Sequence, residues 1–202
     1  MMKGLLLLLV LAVSFSAQAD TASDLYRLSY TQENAGEYLN AMETMDTLRE
    51  LGEGGYFVEM RLGWLLYLCG RYSESAAYYR RAAERESASV EALLGRTLPL
   101  MAQRQWLDVI ESCKAVLERD PGNYTALSRM ASAQYQLGRY PQSETSYRKL
   151  LSLYPSDQDL HSGLGWALLM MGDKEEARKE FEGILRVSPD HLSAAQGLRA
   201  LD

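Results

Sequence analysis

The sequence predicts an all-α fold: a solenoid of five helix-turn-helix repeats closed by a short C-terminal capping helix. Glycine recurs at Gly36, Gly70, Gly138 and Gly172 on a period of 34 residues, with Arg104 in the one place left vacant. Two residues further on stand Tyr38, Tyr72, Trp106, Tyr140 and Lys174, and Pro121, Pro155 and Pro189 keep the same period. Repeats of this length stack into a quasi-one-dimensional array, whose function lies in the surface it presents.

Taken in chain order, Lys3, the apolar run from Leu5 to Val13 and the small-residue motif Ala17-Gln18-Ala19 have the layout of a secretory signal peptide over 1–19. The run is too short for a standard transmembrane helix, and no later segment supplies roughly 18 continuous apolar residues. We therefore expect an exported chain without an integral membrane span after cleavage; the alternative is a membrane tether through an uncleaved signal. The mature chain, 20–202, is expected to be a single domain. Its repeats fall at 22–55, 56–89, 90–123, 124–157 and 158–191, and the capping helix at 192–202.

In each window about 14 residues of helical periodicity end at a turn residue, and a second helical pattern follows. A glycine just past the helix end adopts the left-handed conformation that closes it; Arg104 would be strained there by about 1–2 kcal/mol. Pro121, Pro155 and Pro189 stop helices between repeats, and Pro141 sits in a first turn where its missing N–H costs little. Pro99 lies inside a first helix, removes a hydrogen bond to Gly95 and predicts a kink. The first junction, Gly52-Glu53-Gly54-Gly55, is glycine-rich and has no proline. Leu192–Leu201 covers the last apolar face and turns Gln196 and Arg199 to water.

The five windows also agree within themselves. Positions seven and eight read Leu28-Ser29, Leu62-Gly63, Arg96-Thr97, Met130-Ala131 and Leu164-Gly165. Position 20 reads Ala41, Ser75, Val109, Ser143 and Ala177, and position 24 reads Met45, Tyr79, Cys113, Tyr147 and Phe181. This pattern resembles the tetratricopeptide repeat family over nearly all of the mature chain, with the third window departing most. The resemblance implies a right-handed superhelix. It also implies that positions 4, 7, 8 and 11 of each first helix pack within the stack, while positions 2, 5, 9, 12 and 13 line a concave peptide-binding groove. That groove would be lined by Tyr26, Tyr30, Met60, Trp64, Tyr67, Leu94, Leu98, Met101, Tyr135, Trp166, Leu169 and Met170. A helix apolar on both faces needs cover on both. Tryptophan and tyrosine anchor interfaces and methionine adapts to irregular apolar ligands, so a partner protein or peptide with an apolar segment is expected. None of these groove positions carries Lys or Arg, and Glu33, Glu91 and Asp159 add negative charge, which argues against a carboxylate clamp.

Composition narrows the function further. The formal net charge is −6, and without a basic stripe the chain is a poor nucleic-acid binder. Two cysteines, Cys69 and Cys113, make no disulfide framework and read as packed residues. His161 with Asp157 and Asp159 is short of the three or four converging ligands a zinc site needs, and no phosphate loop or nucleophile elbow is present. We expect no cofactor, no metal and no enzymatic activity. The expected role is a scaffold or adaptor in envelope or periplasmic complex assembly. The alternatives are a structural module whose apolar face mediates homo-oligomerisation, and a non-catalytic subunit of an enzyme complex.

Overall fold

The computed structural model describes residues 21–201; the expected signal peptide over 1–19 lies outside them. Eleven α-helices and no strand occur among the described residues. They are α1 (21–34), α2 (Tyr38–Glu50), α3 (Tyr56–Leu68), α4 (Tyr72–Arg85), α5 (Val90–Ala102), α6 (Trp106–Leu117), α7 (Tyr124–Gln136), α8 (Tyr140–Leu153), α9 (Gln158–Met171), α10 (Lys174–Val187) and α11 (Leu192–Leu201). The predicted all-α fold of paired helices is therefore present, with consecutive helices packed on one another. The chain divides into two compact units, Met1–Pro99 and Leu100–Asp202, and the division falls inside α5 at its internal proline.

The same closure ends every first helix. Gly36, Gly70, Gly138 and Gly172 have φ of 77°, 73°, 71° and 88°, and Arg104 takes the place of the missing glycine at φ 57°. The N–H after each of these turn residues reaches back to a carbonyl of the last helical turn: Glu37 to Gln32, Arg71 to Leu66, Gln105 to Leu100, Arg139 to Gln134 and Asp173 to Leu168, at 2.8–3.0 Å. This six-to-one bond satisfies carbonyls that a helix end otherwise leaves open.

The starts are capped on the same period. The backbone N–H of Ala92 is accepted by Ser89 Oγ, that of Ala126 by Asn123 Oδ1, that of Leu160 by Asp157 Oδ1 and that of Ala194 by His191 Nδ1, at 3.0–3.2 Å. The corresponding place before α3 is Gly55, which offers no side chain.

In the first unit Ala41, Met45 and Leu48 of α2 meet Val58, Leu62, Leu65 and Leu66 of α3, with Leu25 and Tyr26 of α1 packed alongside. The small residue at position 20 does more than permit close approach. Ser75 donates from Oγ to the Gly63 carbonyl at 2.6 Å, and Ser143 of the second unit repeats the bond to Ala131 at 2.9 Å. One packing expectation is corrected: Leu28, at position seven of α1, is 45% exposed, because no described helix precedes α1 to cover it.

The second unit is built around Leu127, Leu150, Leu160, Leu164, Leu168, Phe181 and Ile184. The small residues of Gly163-Leu164-Gly165 serve packing, as their place inside a helix suggests: a Cβ at Gly165 would lie 2.7 Å from the Phe181 ring. The capping helix α11 buries Ala194, Gly197 and Leu201 and exposes Gln196 and Arg199, as expected of a terminal cap.

Candidate partner-binding surface

The candidate stripe runs along the first helix of each repeat, on the side away from the residues that pack inside. In α3 the division is plain: Leu62, Leu65 and Leu66 are buried, while Met60, Trp64 and Tyr67 are half-buried and Phe57 is 72% exposed. None of the twelve sequence-predicted residues is fully buried. Tyr30 and Met170 are exposed, and Tyr26, Met60, Trp64, Tyr67, Leu94, Leu98, Met101, Tyr135, Trp166 and Leu169 are half-buried. Interior side chains are normally covered completely, so this stripe is surface.

In the first unit the structure gathers Tyr30, Trp64 and Tyr67 around a pair of charges. Arg61 forms an ion pair with Glu33, its guanidinium lies 3.8 Å above the Tyr30 ring, and its Nε and Nη2 donate to Ser29 Oγ at 3.2 and 3.1 Å. Trp64 Nε1 donates to the other oxygen of Glu33 at 2.7 Å, and its ring stacks on Tyr67 at 5.7 Å. The expectation that Glu33 adds free negative charge is thereby corrected. Its carboxylate is compensated by an arginine at position six, outside the groove positions considered. Glu59, 5% exposed, is likewise paired, with Arg81 at 2.9 Å and Arg85 at 3.5 Å. A buried charge needs such partners.

In the second unit Tyr135 of α7 and Trp166 of α9 come together across a hollow of about 270 Å³ that is also lined by Ser132, Tyr147 and Gly163. Trp166 has its indole N–H committed to Ser193 Oγ at 2.9 Å and packs edge-to-face with Phe181 at 5.6 Å. Tyr147 belongs to a second helix and forms part of the core, where burial, with the nearby Tyr135 adding to it, pushes its phenol up to about 12. Leu169 packs against that core and Met170 projects outward. Leu94, Leu98 and Met101 lie along α5.

Tetratricopeptide repeat family models match residues 60–89 and 128–191. These two stretches are tetratricopeptide repeats. The chain's fold is that of a tetratricopeptide repeat protein from Parabacteroides merdae, at a TM-score of 0.84 and 18% identity over 90% of this chain and 72% of that one. It is also that of YrrB, described as a tetratricopeptide protein with an unusual peptide-binding site, at a TM-score of 0.75 and 13% identity over 87% of this chain and 90% of that one. Among curated proteins it is similar to the CTR9 homolog of Arabidopsis thaliana, 25% identical over 65% of this chain but only 12% of that protein. The chain thus spans about a tenth of the length of the curated relatives it matches.

Elsewhere among the described residues the polar chemistry is that of helix termini and packing. His161 Nδ1 meets Glu180 at 2.6 Å and its Nε2 meets the Pro155 carbonyl at 3.0 Å; burial works against its charge, but these two oxygens outweigh it and raise its pKa. No cluster of three His, Cys, Asp or Glu able to hold a metal occurs among the described residues. Cys69 and Cys113 are free, and burial pushes the Cys113 thiol up to about 12, where it is inert as a nucleophile. No described helix is long and apolar enough to cross a membrane. Sequence reasoning missed Arg61 and Tyr147. The first could have been suspected from a lone arginine inside the otherwise apolar Met60–Leu68 run, and the second from a tyrosine at a position where phenylalanine serves equally well.

Proposed function

We propose that this protein is a non-catalytic adaptor that binds an apolar segment of a partner protein on its first-helix faces. We propose further that it is exported and acts in the assembly of an envelope or periplasmic complex. The reading rests on one observation: aromatic and aliphatic side chains recur along these faces and stop short of full burial in every repeat. Patches of this kind on folded proteins mark interaction sites, and indole and phenol rings anchor them. The peptide-binding site described for YrrB, a fold neighbour, agrees with this use of the scaffold.

Crosslinking in the native host tests it, comparing wild type with Trp64→Asn and Trp166→Asn. Each variant is expected to weaken a partner adduct roughly tenfold or more, since truncating an anchor costs about 2 kcal/mol. If both variants fold and keep every adduct, the binding-face reading is wrong. Fractionation of the same cells locates the chain and tests the export part separately.

A further inference from the structure

We infer that the hollow of the second unit is a tyrosine-accepting subsite, in which a partner's phenol ring lies against Tyr135 and Trp166 and its hydroxyl bonds to that of Tyr147. The inference deepens the proposed function and rests on it.

Four features of the hollow specify the occupant. About 270 Å³ falls just below the size of small-molecule pockets, roughly 300–1,000 Å³, and suits one side chain. No charged residue lines it, so the occupant is neutral. Two of its walls are the aromatic side chains of Tyr135 and Trp166, which favour a ring through offset or edge-on packing. The remaining feature is the hydroxyl of Tyr147. The side chain is only 9% exposed, and its oxygen, which keeps some contact with solvent at the hollow, has no hydrogen bond to a protein group among the described residues.

That hydroxyl is aimed at the hollow. The phenol end of Tyr147 lies over Gly163, where a Cβ would come within 2.7 Å of the oxygen, and both residues line the same space. Packing accounts for the ring but not for the oxygen. In the next repeat Phe181 holds the corresponding position, fully buried against Gly165 and Gly197, with no hydroxyl at all. A ligand that covers this hydroxyl without bonding it strips away its water at a cost, and a ligand oxygen placed there restores the bond. A phenol is protonated at neutral pH, so Tyr147 can both donate and accept. A phenylalanine in the hollow would seal the oxygen off unpaired; a tyrosine would complete it. Sites built around such a group discriminate against the analogue that lacks it.

The test uses the full chain, ¹⁵N-labelled, titrated with N-acetyl-tyrosinamide and with N-acetyl-phenylalaninamide while the Gly163 amide and the Trp166 indole N–H are followed by NMR. The tyrosine amide is expected to move both signals with an affinity about fivefold above that of the phenylalanine amide, the worth of one hydrogen bond. In Tyr147→Phe the preference is expected to vanish, because the phenylalanine amide no longer leaves an oxygen unpaired and the tyrosine amide no longer finds its partner. Equal affinities in the wild type overturn the inference, as does a tyrosine preference that survives in Tyr147→Phe. So does the absence of any Gly163 shift with either amide. Should Tyr147→Phe fail to fold, the wild-type comparison decides alone. Loss of partner adducts in Trp64→Asn alongside equal amide affinities would sink this subsite and leave the adaptor reading standing.

Discussion

Arg104 shows how a single position carries the frame. The turn it occupies is made by glycine in four other repeats, and its φ of 57° is the only positive value at a non-glycine among the described residues. A Cβ in that conformation costs roughly 1–2 kcal/mol, part of which glycine returns by loosening the unfolded chain. Arg104→Gly is therefore expected to stabilise the protein by about 0.5–1 kcal/mol. Urea unfolding would show a higher midpoint at an unchanged slope; a lower midpoint would mean that the arginine makes contacts worth more than its strain. The strain was legible in the sequence because the period exposes the odd residue. The pairing of Arg61 with Glu33 was not, since the partners stand 28 residues apart and no local spacing joins them. Glu59 was hidden for the same reason, its arginines lying a helix away on α4.

The helix starts follow a rule that residue identity conceals. Ser89, Asn123, Asp157 and His191 look unrelated, and a metal ligand is an easy misreading of Asp157. Yet each accepts a backbone N–H at the start of the following helix, 34 residues apart. Two of these caps also join neighbouring repeats: Tyr56 meets Ser89 Oγ and Tyr124 donates to Asp157 Oδ2, both at 2.7 Å. The helices themselves were readable because turn glycines, prolines and apolar spacing agree with one another. Gly55 is the exception among the caps. Its φ of −84° and ψ of −169° suit any residue, and a Cβ there meets nothing within 4 Å. Gly55→Ser is expected to gain about 0.5–1 kcal/mol, from a new cap bond and a less flexible unfolded chain. Slower amide exchange in the first turn of α3 would accompany the gain; unchanged exchange there would deny the capping mechanism.

For the whole molecule, a linear array sets how such local changes combine. Each helix-turn-helix repeat draws its stability from itself and from the joints to its immediate neighbours, so effects at separate joints should sum. Gly55 lies at the junction of the first two repeats, and Arg104 closes the first helix of the third. The hydrogen bonds that fix each turn involve only residues of its own helix pair: Leu48 to Gly55 in one case, Leu100 to Gln105 in the other. The double variant Gly55→Ser, Arg104→Gly is accordingly expected to gain the sum of the single gains to within about 0.5 kcal/mol, the tolerance for sites that share no partner. Urea unfolding of the four proteins completes the cycle, and amide exchange assigns each gain to its own helices. An interaction energy well above that tolerance would mean that strain at one turn is felt two joints away. The array would then respond as one cooperative body, and a partner seated on one first helix could alter its neighbours' faces as well as fill its own.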